Sequence, residues 1–396
     1  MFNFRLFLAS QVAAQAGTWL QFVAVAWLAG QSTGSGAALG GVAVATFGPL
    51  LVLGPWTGAL ADRFDKHVLL VGTQLLMAAQ AMSLAVVVLA GFDGLTLIYP
   101  LTLAYGVILA LEAPVRRAYV AEIVEHQDIP RAVSLTNVVA AVGRVIGPLC
   151  AGVLIGSAGI GWCFIVNALS YLIALAVLLA TRRAELRRTA AQRRPGAALA
   201  GLRYAWRVSE LRIPLALTAV VATFGFNHQV IVPLLAANTF HGGPGAFTLL
   251  YTAISLGAVL GALSVARRRD IDLRFLTTAV GAFAVANGLI AISPNLVTAV
   301  ISGFAAGASA LLFITAAGAL LQQRCAPEMH GRVMALFTMM LFGGVPIGAP
   351  LVGAIADAAG PRVAVGVGTA AALCACAAAL RHLNSPSTAP TTAATL

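Results

Sequence analysis

The sequence predicts an all-α membrane protein in which twelve transmembrane helices form two pseudo-symmetric six-helix bundles. Three observations carry this: composition, the placement of basic residues and an internal repeat. Of the 396 residues, 60% are hydrophobic and 9% are charged, and mean hydropathy is +0.93; soluble chains carry roughly 25% charged residues. So few charges could not cover a core of this size in water, so lipid is the expected solvent. A spanning helix needs about 20 apolar residues, which allows about twelve spans. The apolar runs are continuous rather than alternating, and lipid demands that backbone groups pair within the segment, so helices are expected and not strands.

Placement of charge excludes the nucleic-acid binding that a net +11 would otherwise suggest. Of 24 Lys and Arg residues, Arg144 falls inside a predicted span and Arg362 in a predicted outer loop; the other 22 fall on one side, in or beside alternate loops. That asymmetry predicts a multi-pass protein of the cell (inner, cytoplasmic) membrane with both termini in the cytoplasm. The repeat points to one duplication of six spans. At an offset of 201, residues 131–159 match 332–360 at eight places, including Arg131/Arg332, Gly143/Gly344, Gly147/Gly348 and Gly159/Gly360. At an offset of 203, Gly54 and Gly58 match Gly257 and Gly261.

In chain order, spans are predicted at 6–30, 37–61, 68–90, 95–114, 132–156 and 160–181, then at 213–238, 245–265, 275–293, 295–320, 332–356 and 362–383. The first is too long and lightly flanked for a cleaved signal peptide. Its Gln11, Gln15 and Trp19 recur every four residues and share a face, either for packing or to line a cavity. Pro114 and Pro130 bracket a segment expected to lie along the membrane surface. The domain reading is a first bundle over 1–181, an Arg-rich cytoplasmic linker over 182–212 with nine Arg, a second bundle over 213–383 and a disordered tail over 384–396.

The charged hairpin GPWTGALADRFDKH, 54–67, joins the second and third spans. Its Gly58, Asp62, Arg63 and Lys66 resemble the G-x-x-x-D-R loop of major facilitator superfamily transporters. The resemblance implies that Asp62 caps the eleventh helix near Arg332 and locks the outward-open state, with Arg63 and Lys66 completing the gate. Asp65 stands where Gly is usual and His67 where a base is usual. Val265 replaces the acid in the second half, so the gate is expected to be asymmetric. On the fifth span, Gly143, Gly147, Pro148 and Gly152 resemble the G-x-x-x-G-P-x-x-G-G stretch of exporters, with Ala151 in place of a Gly; Pro148 is expected to bend the helix because it lacks a backbone donor. With GTWLQFVAVAWLAGQSTGS, LEAPVRR and HGRVMALFTMM, these stretches resemble the bacterial drug and siderophore exporter branch, including enterobactin-type and macrolide or multidrug efflux proteins.

Four further residues are proton-coupling candidates. Arg144 sits mid-span, at a cost of at least ~2.5 kcal/mol unless paired or wet, and shares a face with Asn137. Glu112 is read as the one carboxylate within a span, with Arg116 four residues on in the favourable order for an ion pair. His228 can titrate near neutral pH, though hydrogen-bonded packing is the simpler reading; it lies beside Asn227. Gln11, Gln15, Trp19, Asn137 and Asn227 are the candidate cavity residues. There is no P-loop, no metal-ligand spacing and no serine elbow, and the five cysteines fall mostly within spans. The expectation is no enzyme, no cofactor and no metal, but a monomeric secondary exporter in the bilayer. Small lipophilic or amphiphilic molecules and protons are its partners, and the proton gradient its energy source. A receptor or scaffold would explain twelve spans equally well, though not Arg144 or the hairpin. A passive facilitator or importer differs only in energetics.

Overall fold

The computed structural model describes residues 2–92, 94–181, 203–204, 206, 208–266, 268, 271–326 and 329–384. Its first bundle holds α1 (Phe2–Thr33), α2 (Gly36–Arg63), α3 (Lys66–Leu89), α4 (Leu95–Glu122), α5 (Ile129–Ser157) and α6 (Ile160–Ala180). The second opens with a divided seventh span, α7a (Ser209–Val220) and α7b (His228–Leu234). It continues with α8 (Pro244–Ala266), α9 (Leu273–Ile292), α10 (Leu296–Arg324), α11 (His330–Ala359) and α12 (Pro361–Asn384). Twelve helical stretches are long and apolar enough to cross a membrane. No strand occurs among the described residues. Residues 182–202 of the expected linker and 385–396 of the expected tail lie outside the described set.

Short polar loops start the helices. Asp65 accepts from the amides of His67 at 2.9 Å and Val68 at 3.3 Å. Asp272 accepts from Phe275 at 2.8 Å, and Asn295 from Thr298 at 3.0 Å. Each satisfies amides that the first helical turn leaves without partners. Asp65, the departure from the usual hairpin, is thus the N-cap of α3. Two linkers need glycine for backbone reasons. Gly159 (φ 98, ψ 162) and Gly360 (φ 91, ψ 157) begin α6 and α12 in a region that L side chains avoid. They are the 201-residue pair of the repeat, so the duplication is visible in backbone angles as well as in letters.

Two features depart from the sequence reading. The segment after Pro114 does not lie along the membrane surface: α4 runs through Pro114 to Glu122. Val115, Tyr119 and Val120 are buried against Phe7 and Leu70, and that burial offsets the single hydrogen bond that proline forfeits. The seventh span is not one helix. Two π-helical segments, Val221–Gly225 and Leu235–Thr239, flank α7b, and the chain breaks at Phe226–Asn227. There Asn227 Nδ2 donates to the Thr223 carbonyl at 2.7 Å, replacing a lost backbone bond with a side-chain one.

Small residues let the helices meet backbone to backbone. Gly143 and Gly147 of α5 press on Gln15, Ala16, Trp19 and Leu20 of α1, while Gly344 and Gly348 of α11 press on Ala222 and Thr223 beside α7a. Gly106 of α4 lies against the Ala45 and Thr46 carbonyls of α2, and Gly307 of α10, 201 residues later, against the Ile254 carbonyl of α8. The same contacts recur in each half.

The bundle has a near end, where the described chain starts and stops, and a far end. One apolar cluster includes residues from all twelve spans, among them Ala26, Leu39, Ala151, Val230, Phe247 and Val352, all towards the far end. Nearer the start of the chain the clusters separate. Phe4, Leu70 and Tyr119 belong to one, Ala14, Met77 and Tyr171 to another, both wholly within the first bundle. Leu211, Phe283, Phe313 and Phe337 form the core of the second. The bundles therefore share a buried core towards the far end. The helices α2 and α11 stay in contact as deep as Leu51 and Gly343, and nearer the start of the chain the cores lie apart, which leaves a cleft between them. Replacing Gly307 with Val should cost about 1–3 kcal/mol by overpacking against unyielding backbone. It should appear as a lower thermal unfolding midpoint in detergent, while the same change at Gly366, which faces open space, should leave the midpoint unchanged.

Candidate functional site

The cleft and the contacts that close its far end make the candidate site. At that end Gly36 of α2 meets Gly353 of α11, Gly40 meets Ala349 and Pro350, and Gly152 of α5 meets Thr248 of α8. Trp27 of α1 stacks on Phe247 of α8, with centroids 5.4 Å apart and 17° between planes. Asp357, near the end of α11, sits over the start of α2. Its carboxylate accepts from the Gly36 amide at 2.5 Å, the Ala37 amide at 2.9 Å and the Ser35 hydroxyl at 2.8 Å. These are the hydrogen bonds that join the two bundles among the described residues. They place a negative charge on the positive end of a helix dipole, and charge-assisted bonds of this kind are stronger than neutral ones.

At the near end the hairpin is arranged differently from the resemblance. Lys66 Nζ lies 2.7 Å from Glu122 Oε1, so this base ties α3 to α4 within its own bundle. His67 is buried, with Nε2 2.8 Å from the Leu178 carbonyl of α6. Arg63 is exposed at the end of α2. Gly58 and Asp62 fall on the last turns of α2, and nothing beyond their helical backbone lies within the described set. Arg332 directs Nη1 to Met329 Sδ at 3.3 Å.

Within the first bundle, Glu112 Oε1 is 2.8 Å from Arg116 Nε, and the glutamate is almost fully buried. Arg116 Nη1 reaches Gln11 Oε1 at 3.5 Å, which ties α4 to α1. Glu112 is not the single carboxylate on a spanning helix, as the sequence suggested, because α4 also carries Glu122 and α11 carries Asp357. Arg144 lies with its guanidinium carbon 4.7 Å from the centroid of the Trp19 ring. His228 Nε2 and Asn227 Oδ1 are buried without hydrogen-bond partners, so the hydrogen-bonded reading of His228 does not hold for that nitrogen. Gln15 packs against Gly143, and Asn137 is exposed. The helix α5 continues unbroken through Pro148; the broken helix is the seventh. Gly152 serves the far-end contact with Thr248.

A small open recess lies against α1, α2, α4 and α7b, lined by Thr18, Gln21, Phe22, Thr46, Thr102, Tyr105 and Gln229 among others. Behind it runs a polar chain. Asn167 Nδ2 donates to Gln21 Oε1 at 2.8 Å, Gln21 Nε2 to Gln80 Oε1 at 3.2 Å, and Gln80 Nε2 to the Leu101 carbonyl at 3.1 Å. No cluster of metal-ligating side chains occurs among the described residues.

A family model described as transmembrane secretion effector matches residues 2–394, nearly the whole chain. The chain belongs to the transmembrane secretion effector family. This effector-family protein is 29% identical over 323 residues to the enterobactin exporter EntS of Salmonella typhi, covering 80% of this chain and 76% of that protein. Against the enterobactin exporter EntS of Escherichia coli O127:H6 it is 28% identical over 305 residues, with coverages of 75% and 72%. Its fold matches that of the nucleoside transporter NupG (TM-score 0.75, 12% identity, 98% and 100% coverage). It also matches a bacterial homologue of the iron transporter ferroportin in an inward-facing state (TM-score 0.72, 13% identity, 96% and 98% coverage). The effector-family protein is thus a multi-pass membrane transporter of the major facilitator type, from a family of exporters rather than enzymes.

Sequence reasoning missed Asp357 and Glu122. The available signal was scarcity: with 13 acidic residues in 396, an acid at a helix end merits a search for the amides or base that hold it. Asp357→Asn should loosen the far end. With the five native cysteines replaced and one cysteine placed at Ala349, membrane-impermeant maleimide should label this variant about tenfold faster than the Asp357 form, the ratio expected if roughly 1.4 kcal/mol of closure is lost. Equal labelling rates would show that the shared apolar core closes the far end unaided.

Proposed function

We propose that the chain exports a small lipophilic or amphiphilic molecule by alternating access, in exchange for protons moving inward. One observation carries this reading: the bundles share a core at one end and are separate at the other. A cleft open at one end is half of an alternating-access cycle. The other half requires the far-end contacts to part and the near end to close, and a transported ligand drives the cycle only through different affinities for the two states. The enterobactin exporters among the relatives support efflux as the direction.

The asymmetry of basic residues supports placing the near end and both termini in the cytoplasm, in the inner membrane, with the Arg-rich segment as a linker between bundles. The open state described above is then inward-facing, and Asp357 is its outer latch. Asp62 and Arg63 are the near-end counterpart, engaging the start of α11 when the cleft reverses. Lys66 acts indirectly, by fixing the hairpin to α4. The bend assigned to Pro148 belongs to that reversed state.

Glu112 and Arg116 are the proton-handling pair. Removing one partner of a buried ion pair leaves an uncompensated charge, so protonation of Glu112 would free Arg116 and destabilise the state that buries it. A single copy encloses one cleft and suffices for the cycle as a monomer; no cofactor takes part.

Everted vesicles test the reading. Acid-loaded vesicles should accumulate a transported compound, and dissipating the gradient should abolish accumulation. Glu112→Gln should remove gradient-driven accumulation while leaving substrate-for-substrate exchange within about threefold of the parent, because exchange needs no protonation step. Accumulation that ignores the gradient would overturn the antiport reading.

A further inference from the structure

Arg144 has no counter-ion among the described residues. It lies 15 residues after Ile129 in the 29-residue α5, close to the middle of the span. Its Nε is shielded from solvent and has no hydrogen-bond partner. The guanidinium carbon lies 4.7 Å from the centroid of the Trp19 ring. The neighbouring carboxylates on spanning helices are engaged elsewhere: Glu112 by Arg116, Glu122 by Lys66, and Asp357 by the start of α2. The other described acidic residues, Asp62, Asp65, Glu125, Asp128, Glu210 and Asp272, lie in loops or at helix ends. Among the described residues there is no further mid-span carboxylate to pair with Arg144.

Arginine also cannot give up its proton in proteins, so Arg144 cannot be the group that loads and unloads a proton. What a guanidinium positioned in this way does well is hold an oxyanion through two parallel N–H bonds. Its surroundings suit the rest of such a ligand. Trp19 meets Phe22 edge to face, with centroids 5.4 Å apart at 72°, and Phe22 lines the open recess. An aromatic path therefore runs from the cation into the recess.

We propose that Arg144 is the anchor for the anionic group of the transported molecule. The ligand class is an amphiphilic oxyanion, a carboxylate or phenolate on an aromatic or lipophilic body, with the body along Trp19 and Phe22. This rests on the transport reading only in calling the ligand transported; the anion site itself does not depend on it.

The test uses purified full-length protein in nanodiscs and matched probe pairs: 2-naphthoate against 2-naphthamide, and biphenyl-4-carboxylate against its amide. Binding is followed by tryptophan fluorescence and checked by calorimetry. The parent protein should bind each carboxylate about tenfold more tightly than its amide. In Arg144→Gln that preference should fall to within twofold while amide binding stays unchanged, and Arg144→Lys should keep part of it. Unchanged amide binding also reports that the variant is folded, and the parent comparison stands even if it is not. Equal affinities within both pairs, no carboxylate binding, or a preference that survives Arg144→Gln would overturn the assignment. The site and the transport reading fail separately. Carboxylate preference without gradient-driven movement in vesicles leaves the site and removes antiport, and gradient-driven movement of neutral compounds alone does the reverse.

Discussion

A charge surrounded by hydrocarbon is stable only beside something that answers it, and this requirement shapes the molecule more than any other. Deep in a span water cannot reach in to screen a mismatch, so an ionised group there either finds a partner or costs several kcal/mol. At the span ends, where Asp357 is exposed, a partner still ties helices together. The chain meets the requirement three ways. Glu112 and Lys66 take side-chain partners, Arg116 and Glu122, on the same or the next helix. Asp357 takes backbone amides, drawing on the dipole of α2. Arg144 takes an aromatic face, which answers its charge but leaves its Nε donor without a partner. The first two solutions tie helices together, and the third leaves capacity unused.

Packing supplies the cohesion that charge does not. Between helices in lipid there is little hydrophobic drive, so association depends on close contact and dispersion. The glycines of α5 and α11 provide that contact against α1 and the seventh span, and those of α4 and α10 against α2 and α8. Because these contacts lie within bundles, each half has its own core near the chain's ends. Only the far-end cluster is common to both. Two bodies, each firm within itself and meeting along one margin, can exchange one margin for another without unfolding either.

Much of this was legible in the sequence. Continuous apolar runs placed all twelve spans, most ends falling within a few residues of the observed ones, because lipid leaves a backbone few alternatives to the helix. The repeat was legible too, since Gly159 and Gly360 are needed for their backbone angles and Gly143, Gly147, Gly344 and Gly348 for helix approach. Three things were not. The helix through Pro114 depends on what Val115 and Tyr119 touch. The roles of Glu122 and Asp357 depend on partners 56 and over 320 residues away in the chain. The break at Asn227 depends on how the seventh span fits between α11, α12 and α9. Period and composition report a residue's solvent, not its neighbour. The same limit explains why Lys66, which resembles a gate residue by position, turns out to bind its own bundle.

The divided seventh span also makes the two halves mechanically unequal. Its counterpart by the repeat, α1, is a single 32-residue helix, whereas Val221–Thr239 changes helical type twice and breaks once. π-Helical turns and a missing rung of backbone bonds are where a rod gives way first. In the proposed cycle the first half offers no such joint, and any change of curvature is most easily absorbed around Phe226 and Asn227. A duplicated architecture has in this way acquired one joint instead of two.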